Sequence, residues 1–330
     1  MPALKPHPVE IERPDLSRWS QSNCGAPRYV HVFQSGSSNV GPRMLISALV
    51  HGNEYSGAIA LSQLLELLSS GKLALCAGQL TAVFANIDGF HRFDAAQPDA
   101  SRFVDQDFNR VWSDALLNDN SKTSSELTRA REIRPYVERA THLLDLHSMH
   151  EPCEPLLITG LLERNIAFAR SLGGVGQVVI DAGHQDGVRM RDSGDFGRPG
   201  NPKIALLLEA GQHWQQSSVA ASRDAMLRFL LRTGMLSMRD VIEADLQSWL
   251  APNWSSPAPV RVTHAVVAQS LNFEFAGSYI GNEVFEKAGS VIAYDDGKPI
   301  TTPYDDCILI MPSIRQLRLG VTTARLGQRV

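Results

Sequence analysis

The chain has 330 residues, which is long enough for about two domains and a sizeable core. Hydrophobic residues make up 43% of it and charged residues 20%, so wholesale disorder is excluded. Because 31 Lys and Arg face 35 Asp and Glu, the formal net charge is -4, and this balance argues against nucleic acid or an anionic membrane as a partner.

The cysteines and the apolar runs indicate the compartment. The four cysteines are far apart and show no C-x-x-C spacing, which argues against a disulfide framework or a thiolate zinc site. The first residues lack the apolar run of a secretory leader, and no apolar stretch is long enough to span a membrane. We therefore expect a cytoplasmic globular protein.

Short apolar runs alternate with helix-period segments through the first three quarters of the chain. We predict strands where such runs lie between turn residues, and helices where apolar residues recur every three or four positions. This alternation indicates an α/β fold, with a largely parallel or mixed sheet covered by helices on both faces. The predicted strands are 44–50, 80–86, 142–146, 177–181 and 204–209, and the predicted helices are 58–68, 124–139 and 217–232.

Two local signals refine the second helix, and the stretch before it has no regular pattern. Thr123-x-x-Glu126 predicts a capping box, and Pro135 predicts a kink or a restart of the helix. Residues 88–120 carry too little periodic apolar character for a regular element. A long excursion of this kind inside a domain is usually functional.

The rhythm of the chain changes after residue 250. Pro252 to Pro259 has the composition of a linker, and Asp296-Gly297 predicts a hairpin turn. Short predicted strands then follow one another at 261–268, 273–276, 291–294 and 307–311. We therefore predict an α/β domain over residues 1–250 and a small all-β domain over residues 251–330.

A histidine three residues before a carboxylate can form a metal-binding pair, but the spacing alone is weak evidence. With 10 His and 35 acidic residues, chance gives about one such pair. Of the four in this chain, only His51/Glu54 lies where a buried strand ends and a helix begins, the usual place for ligands in α/β sheets, and Gly52 permits a sharp turn there. A histidine hydrogen-bonded in a turn is the alternative. The other pairs are His7/Glu10, His91/Asp94 and His142/Asp145.

Two further polar residues end buried strands. His147 follows a Leu-rich run, and Glu209 follows five mostly aliphatic residues, where a carboxylate is costly unless it is paired or used. If these strand ends converge on the His51/Glu54 pair, two histidines and a glutamate form the ligand set of catalytic zinc. The spare carboxylate then suits the general base. Three unrelated polar strand ends are the alternative.

Four motifs in order carry a family resemblance. The chain reads His51-Gly-Asn-Glu54, then a segment from Arg102 that ends in Asn-Arg, then Asp-Leu-His147-Ser, then Leu-Glu209-Ala-Gly-Gln. This ordered set, which spans about half the chain, resembles the succinylglutamate desuccinylase/aspartoacylase family, a branch of the zinc carboxypeptidase-like hydrolases. The resemblance implies a mixed sheet flanked by helices, and the C-terminal all-β domain fits it.

The resemblance also implies the metal centre. One zinc ion per chain is expected, bound by His51, Glu54 and His147, with Glu209 as the general base for a metal-activated water.

Two basic positions receive roles from the same resemblance. Arg102 is expected to polarise the scissile carbonyl, and Asn109 with Arg110 to hold the substrate carboxylate. A guanidinium suits both tasks because it is always charged and grips a carboxylate through two parallel N–H bonds. The alternative for either arginine is a surface ion pair with Asp105 or Asp107.

The chain departs from the family in the residues that select the substrate. The segment before the base offers Arg189, Arg191 and Arg198 but no tyrosine, and the tail LRLGVTTARLG has no tyrosine either. The acyl group and the amino acid therefore stay open. So do the native metal and the oligomeric state, for which a homo-oligomer is one option.

Three polar residues near the motifs have other expected roles. His150 is expected to be solvated beside Pro152. His213, four residues after Glu209, is expected to have a structural role, and contact with the metal ligands from outside is its less favoured alternative. Cys153 is expected to fill space as a small buried residue rather than act as a nucleophile.

The combined prediction is a zinc-dependent amidohydrolase that removes the acyl group from a small N-acyl amino acid or a related carboxylated amide. The alternatives are a zinc carboxypeptidase acting on peptides, and a metal-dependent binding protein without turnover. Because a pure binder has no use for a base, Glu209 argues against the last.

Overall fold

A mixed sheet of eleven strands runs through the computed structural model, which describes residues 7–36, 41–174, 176–183, 186–252 and 258–330. The strands are β1 (Val30–Gln34), β2 (Arg43–Ala48), β3 (Gln79–Phe84), β4 (His142–Met149), β5 (Leu156–Ile158), β6 (Gln177–Ile180), β7 (Ile204–Gln212), β8 (Val260–Val267), β9 (Phe273–Phe275), β10 (Val284–Phe285), β11 (Val291–Asp295), β12 (Lys298–Thr301), β13 (Cys307–Ile310) and β14 (Thr322–Arg329). The helices are α1 (Ser56–Ser69), α2 (Ile87–His91), α3 (Asp114–Asn118), α4 (Ser125–Arg139), α5 (Glu163–Leu172), α6 (Gly194–Gly197), α7 (Gln216–Arg232) and α8 (Met238–Glu243).

The centre of the large sheet is parallel. The strand order is β1-β3-β2-β4-β7-β5-β6-β8-β14-β13-β10, and β3, β2, β4 and β7 all run in the same direction. Parallel strands need both faces covered, which explains why their sequences are almost continuously apolar. The carboxyl ends of β2, β4 and β7 therefore meet at one edge of the sheet.

Helices cover both faces of this centre, as the α/β pattern predicts. Neighbouring strand residues point to opposite faces, so Ile46 packs with the helices α1 and α7 while Leu45 packs with α4. The expected mixed sheet flanked by helices is thus confirmed. Within the described ranges, no helix has the length and apolarity that crossing a bilayer requires.

The predicted strands and helices of this region are present, with ends that shift by a few residues, but two local predictions about α4 are wrong. The N-cap is Ser124, whose hydroxyl accepts the backbone N–H of Leu127, and not Thr123. The helix also continues through Pro135, since Ile133 and Val137 on either side are anchored in the core while the proline forfeits one hydrogen bond.

The stretch 88–120 has no long element, as expected, but it is not shapeless. It contains the short helices α2 and α3 and two single turns, Pro98–Ser101 and Phe108–Arg110. The carboxylate of Glu126 accepts the backbone N–H groups of Val104, Asp105 and Gln106, which fixes this stretch against the first turn of α4.

The C-terminal region is all-β, as predicted, and its strands continue the large sheet. β8 pairs in parallel with β6, and β14, β13 and β10 follow in antiparallel order. A second sheet contains β12, β11 and β9, and Asp296-Gly297 closes the β11–β12 hairpin with both residues at positive φ. Most of the predicted linker, residues 253–257, lies outside the described residues. The boundary between residues 250 and 251 stays a prediction.

Candidate active site

The carboxyl edge of β2 carries the first pair of site residues. The chain leaves β2 through Leu49 at a φ of 60°, passes His51 and Glu54, and enters α1 at Ser56. A Cβ at Gly52 would collide with the backbone of the α2 segment and with the Ser101 carbonyl oxygen. Glycine is therefore required at 52 for a close approach of two segments, while the left-handed residue of the turn is Leu49.

His51, Glu54 and His147 form a buried cluster at this edge. His51 Nδ1 lies 2.7 Å from Glu54 Oε1, and His147 Nδ1 lies 3.0 Å from Glu54 Oε2. All three side chains are buried, and one potential ligand atom from each lies within 4.8 Å of the others. The strand ends that the sequence analysis expected to converge do so.

The second nitrogen of each imidazole faces another carboxylate. His51 Nε2 lies 3.0 Å from Asp107 Oδ1, and His147 Nε2 lies 3.1 Å from Asp145 Oδ2. Ser47 on β2 donates its hydroxyl to Asp145 Oδ1 at 2.5 Å. A carboxylate behind each histidine fixes its tautomer and ring orientation, the usual support of metal-binding histidines, and it leaves both Nδ1 atoms facing Glu54.

Charge at the cluster follows from these contacts. Burial acts to raise the pKa of Glu54, but His51 and His147 outweigh it and hold that pKa well below the usual range. Burial acts to lower the pKa of His147, but Asp145 and Glu54 outweigh it and raise that pKa well above the usual value. The cluster thus holds a carboxylate between two imidazoles, a donor set that fits a divalent cation such as Zn²⁺.

Glu209 lies on β7 beside His147 of β4, because the parallel register pairs these two residues. Its Oε2 is buried and has no hydrogen-bond partner among the described residues. Burial raises the pKa of this carboxyl to about 8. A carboxyl group with a buried oxygen that lacks a hydrogen-bond partner is costly for folding, and next to a potential metal cluster it is a functional candidate.

Arg102 reaches the cluster from the stretch before α3. Its guanidinium lies 3.3 Å from Glu54 Oε1 and 3.3 Å from Asp107 Oδ2. The ion pair with Asp107 that was the alternative for this arginine is therefore present. It lies inside the pocket, however, because both side chains are at most one-fifth exposed.

Asn109 and Arg110 line the same pocket. The Asn109 side-chain oxygen accepts the backbone N–H of Met190 at 3.3 Å, and Arg110 donates to the Asn109 carbonyl oxygen at 2.9 Å. Burial lowers the pKa of Arg110, and the charge of Asp107 partly opposes this. Arg110 is half-buried in the pocket, so it is not in the surface position that the alternative ion pair requires.

Among the three arginines before the base, one reaches the pocket. Arg189 lines it beside Asp181, whereas Arg191 is fully buried against backbone carbonyls and Arg198 is exposed. The sequence analysis missed Arg325 of β14, which also lines the pocket and lies 3.3 Å from Asp181 Oδ2. In the sequence it is one of two arginines in the mixed segment TTARLGQR, where no apolar pattern sets it apart.

The three neighbouring polar residues differ in how they meet their expectations. His213 contacts the cluster through Ser148, whose hydroxyl lies 2.8 Å from His213 Nδ1 and whose N–H donates to Glu54. Burial and the neighbouring His150 hold the pKa of His213 well below its usual value. His150 is half-buried against His213, contrary to the expected solvated position. Burial raises the pKa of Cys153 to about 12, which suits a space-filling thiol.

Comparisons with known proteins agree with this geometry. The sequence model of one protein family, the succinylglutamate desuccinylase/aspartoacylase catalytic domain, matches residues 40–227, which is more than half of the chain. A search of curated protein sequences finds no match.

Solved structures of similar fold cover nearly the whole chain. A succinylglutamate desuccinylase from Vibrio cholerae aligns with a TM-score of 0.64 at 18% identity, over 92% of this chain and 86% of that one. A succinylglutamate desuccinylase/aspartoacylase from Rhodobacter sphaeroides gives 0.65 at 17% identity, over 91% and 88%. The product-bound ectoine utilization protein EutE (DoeB) from Ruegeria pomeroyi gives 0.61 at 17% identity, over 88% and 86%.

At these identities the structural likeness concerns the fold alone, whereas the family model matches the sequence itself across the segments that carry the cluster. The chain therefore belongs to the succinylglutamate desuccinylase/aspartoacylase family of hydrolases.

Proposed function

We propose that the protein is a zinc-dependent amidohydrolase that removes the acyl group from a small N-acyl amino acid or a related carboxylated amide. The observation that carries this proposal is the half-buried carboxyl group of Glu209, whose buried Oε2 has no hydrogen-bond partner among the described residues, beside the His51–Glu54–His147 cluster. His51, Glu54 and His147 would hold the zinc ion. When bound there, zinc supplies a Lewis acid and lowers the pKa of water.

Glu209 is the base in this proposal. It accepts a proton from the attacking water and returns that proton to the nitrogen of the leaving amine. Burial keeps this carboxyl protonated in the metal-free protein, since its pKa is about 8. A divalent cation nearby favours the charged carboxylate, so Glu209 is able to accept a proton when the metal is bound.

Arg102 acts on the scissile carbonyl. Its guanidinium already lies against Glu54, and a permanently charged donor at that position stabilises the negative charge that develops on the carbonyl oxygen. The ion pair with Asp107 holds the guanidinium in place before the substrate arrives.

Arginines also favour a carboxylated substrate. Arg110, Arg189 and Arg325 line the pocket, and Asp181 is shared between two of them. Asn109 with Arg110 is the proposed clamp for the substrate carboxylate, because an arginine can offer it two parallel N–H bonds.

The C-terminal region contributes to the same pocket as the cluster. Ile280 and residues between Met311 and Arg325 line it. A substrate that reaches the cluster must therefore fit beside these side chains, which suits a small molecule better than a peptide chain. This observation favours the deacylase over the carboxypeptidase alternative.

A substrate panel tests the proposal. The zinc-loaded protein is incubated with N-acyl amino acids, the same compounds with an amidated carboxylate, and short peptides, and release of the free amine is measured. We expect turnover of N-acyl amino acids and little of their amidated forms. Indifference to amidation would reject the carboxylate clamp, and preference for peptides would favour the carboxypeptidase.

A Glu209→Gln variant tests the base separately. It keeps the shape of the side chain but cannot accept a proton, so we expect zinc to bind as before while turnover falls by several orders of magnitude. Retained turnover would move the base to another residue.

A further inference from the structure

A second group of ligand-type side chains lies beside the first. Asp99 belongs to the turn Pro98–Ser101, His150 directly follows β4, and His213 directly follows β7. One potential ligand atom from each lies within 4.8 Å of the others. The group shares no residue with the His51–Glu54–His147 cluster.

Two of the three separations between these atoms are close to those of a coordination polyhedron. His213 Nε2 lies 3.1 Å from His150 Nδ1, and His150 Nδ1 lies 3.5 Å from Asp99 Oδ1. Zn–N bonds of 2.0–2.1 Å in a tetrahedron place neighbouring ligand atoms about 3.3 Å apart. The two measured separations lie on either side of this value.

Two features prepare the group for a cation. Asp99 Oδ1 is buried, and within the described ranges its contact with His150 at 3.5 Å does not form a hydrogen bond, so this oxygen has unused capacity to bind a cation. Ser148 contacts His213 Nδ1, which orients the ring so that Nε2 faces His150. Arg315, whose charge also acts on Asp99, is ion-paired to Glu151 at 2.7 Å.

We propose that Asp99, His150 and His213 bind a second divalent transition-metal ion, for which zinc is the best match. Two imidazoles and one carboxylate supply three ligands, and water completes the coordination. This inference goes beyond the proposed function, because the hydrolytic reaction needs only the first cluster.

Such an ion has a defined structural effect. Asp99 lies three residues before Arg102, and the Arg102 carbonyl oxygen accepts the N–H of Gly52. A cation that joins Asp99 to the ends of β4 and β7 therefore fixes the segment that carries Arg102. The second ion acts as a positioning element for that arginine and touches neither substrate nor water of reaction.

Metal stoichiometry tests the proposal. The full-length protein is stripped of metal, equilibrated with zinc by dialysis, and analysed for zinc per chain. We expect two ions for the wild type and one each for His150→Gln and His147→Gln. The double variant should bind none, and His7→Gln, whose histidine contacts Glu151 outside both groups, should bind two.

The variants separate this proposal from the first site. If the wild type binds a single ion and only His147→Gln loses it, the result supports the first site and overturns the second. Two ions retained in both His150→Gln and Asp99→Asn would also overturn it. In either of these cases Asp99, His150 and His213 form only a chain of polar contacts. His150 and Asp99 are chosen because both are partly exposed, whereas His213 is fully buried and its replacement risks the fold.

A spectroscopic measurement checks the positioning effect without turnover. Amide hydrogen exchange of the segment 98–102 should slow when the second ion binds to wild-type protein. In His150→Gln the same segment should exchange at the rate of the metal-free form while the first site is loaded. Equal exchange in both proteins would reject the positioning role.

Discussion

Glu209 shows how a single residue combines a cost in folding with a use in chemistry. Its side chain is half-buried, and its buried Oε2 has no hydrogen-bond partner within the described ranges; burial raises the pKa of this carboxyl to about 8. In an unfolded chain the same group has a pKa near 4.5. Between these two values the unfolded protein carries a charge at this position that the folded, metal-free protein does not.

This difference predicts how stability depends on pH. The folded state binds one proton more than the unfolded state, so Glu209 makes the metal-free protein less stable as pH rises from about 4.5 to about 8. Glu209→Gln does not titrate. We therefore expect the free energy of unfolding of the variant, relative to the wild type, to increase between about pH 5 and about pH 8 in chelator. Denaturant unfolding at several pH values measures it, and parallel pH profiles would contradict the raised pKa.

The two pocket arginines should respond differently to lysine. Arg102 touches Glu54 and Asp107 at once, and a single ammonium cannot span both. If it meets charge that develops only in the reaction, Arg102→Lys lowers kcat by roughly 10²–10³-fold with a smaller effect on KM. Arg110→Lys should instead raise KM, since the two-bond grip on a ground-state carboxylate is lost.

Steady-state kinetics on the best substrate of the panel separates the two effects. Arg198→Lys is the matched control, because that arginine is exposed and lies outside the pocket. Two variants with the same kcat and KM pattern would reject the division of roles.

At the scale of elements, the strands determine how the metal cluster is built. Register pairs Ser47 of β2 with Asp145 of β4, and the strand period of two puts Asp145 and His147 on the same face. The support behind His147 is therefore a product of strand pairing. The loop residue Asp107 supports His51 in the same way, but from a turn whose position no strand dictates.

This register predicts the effect of Asp145→Asn. The amide keeps the shape but loses the negative charge that orients and polarises His147, so zinc affinity should fall by about 10–100-fold while the fold is retained. Competition with a chromophoric chelator measures the affinity, and circular dichroism reports on the fold. Ser47→Ala removes a neighbour of Asp145 but no charge, and it should cost less. An unchanged affinity in Asp145→Asn would show that His147 needs no charged partner.

The position of a residue relative to the strands determines whether the sequence could predict its place in the site. His51, Glu54, His147 and Glu209 were found because they end apolar strands, a signal that hydrophobic periodicity carries. Asp107 was recognised only as an ion-pair partner for arginine. No local pattern reveals its contact with His51, which lies 56 positions earlier in the chain. Arg325 is still further away in sequence, on a strand that reaches the pocket only through the pairing of β14 with β8.

At the scale of the whole molecule, the C-terminal region extends the large sheet and lines part of the pocket. β8 pairs with β6, and Val260, Ile308 and Ile310 pack against Leu207 and Val179 in one apolar cluster. Composition separated residues 1–250 from residues 251–330, but a shared sheet and a shared cluster predict that the two parts fold together.

A truncation after residue 250 tests this. It would leave β6 with an unpaired edge, expose the apolar residues that Val260, Ile308 and Ile310 cover, and remove Arg325 from the pocket. Unpaired apolar strand edges promote aggregation, so we expect the truncated chain to be less soluble and to lose cooperative unfolding.

The full chain should unfold in one transition that circular dichroism and tryptophan fluorescence report at the same denaturant concentration. Two separated transitions, with a soluble truncated chain that unfolds cooperatively, would instead establish residues 1–250 as an independent domain. The C-terminal region would then act as a separate cover for the pocket.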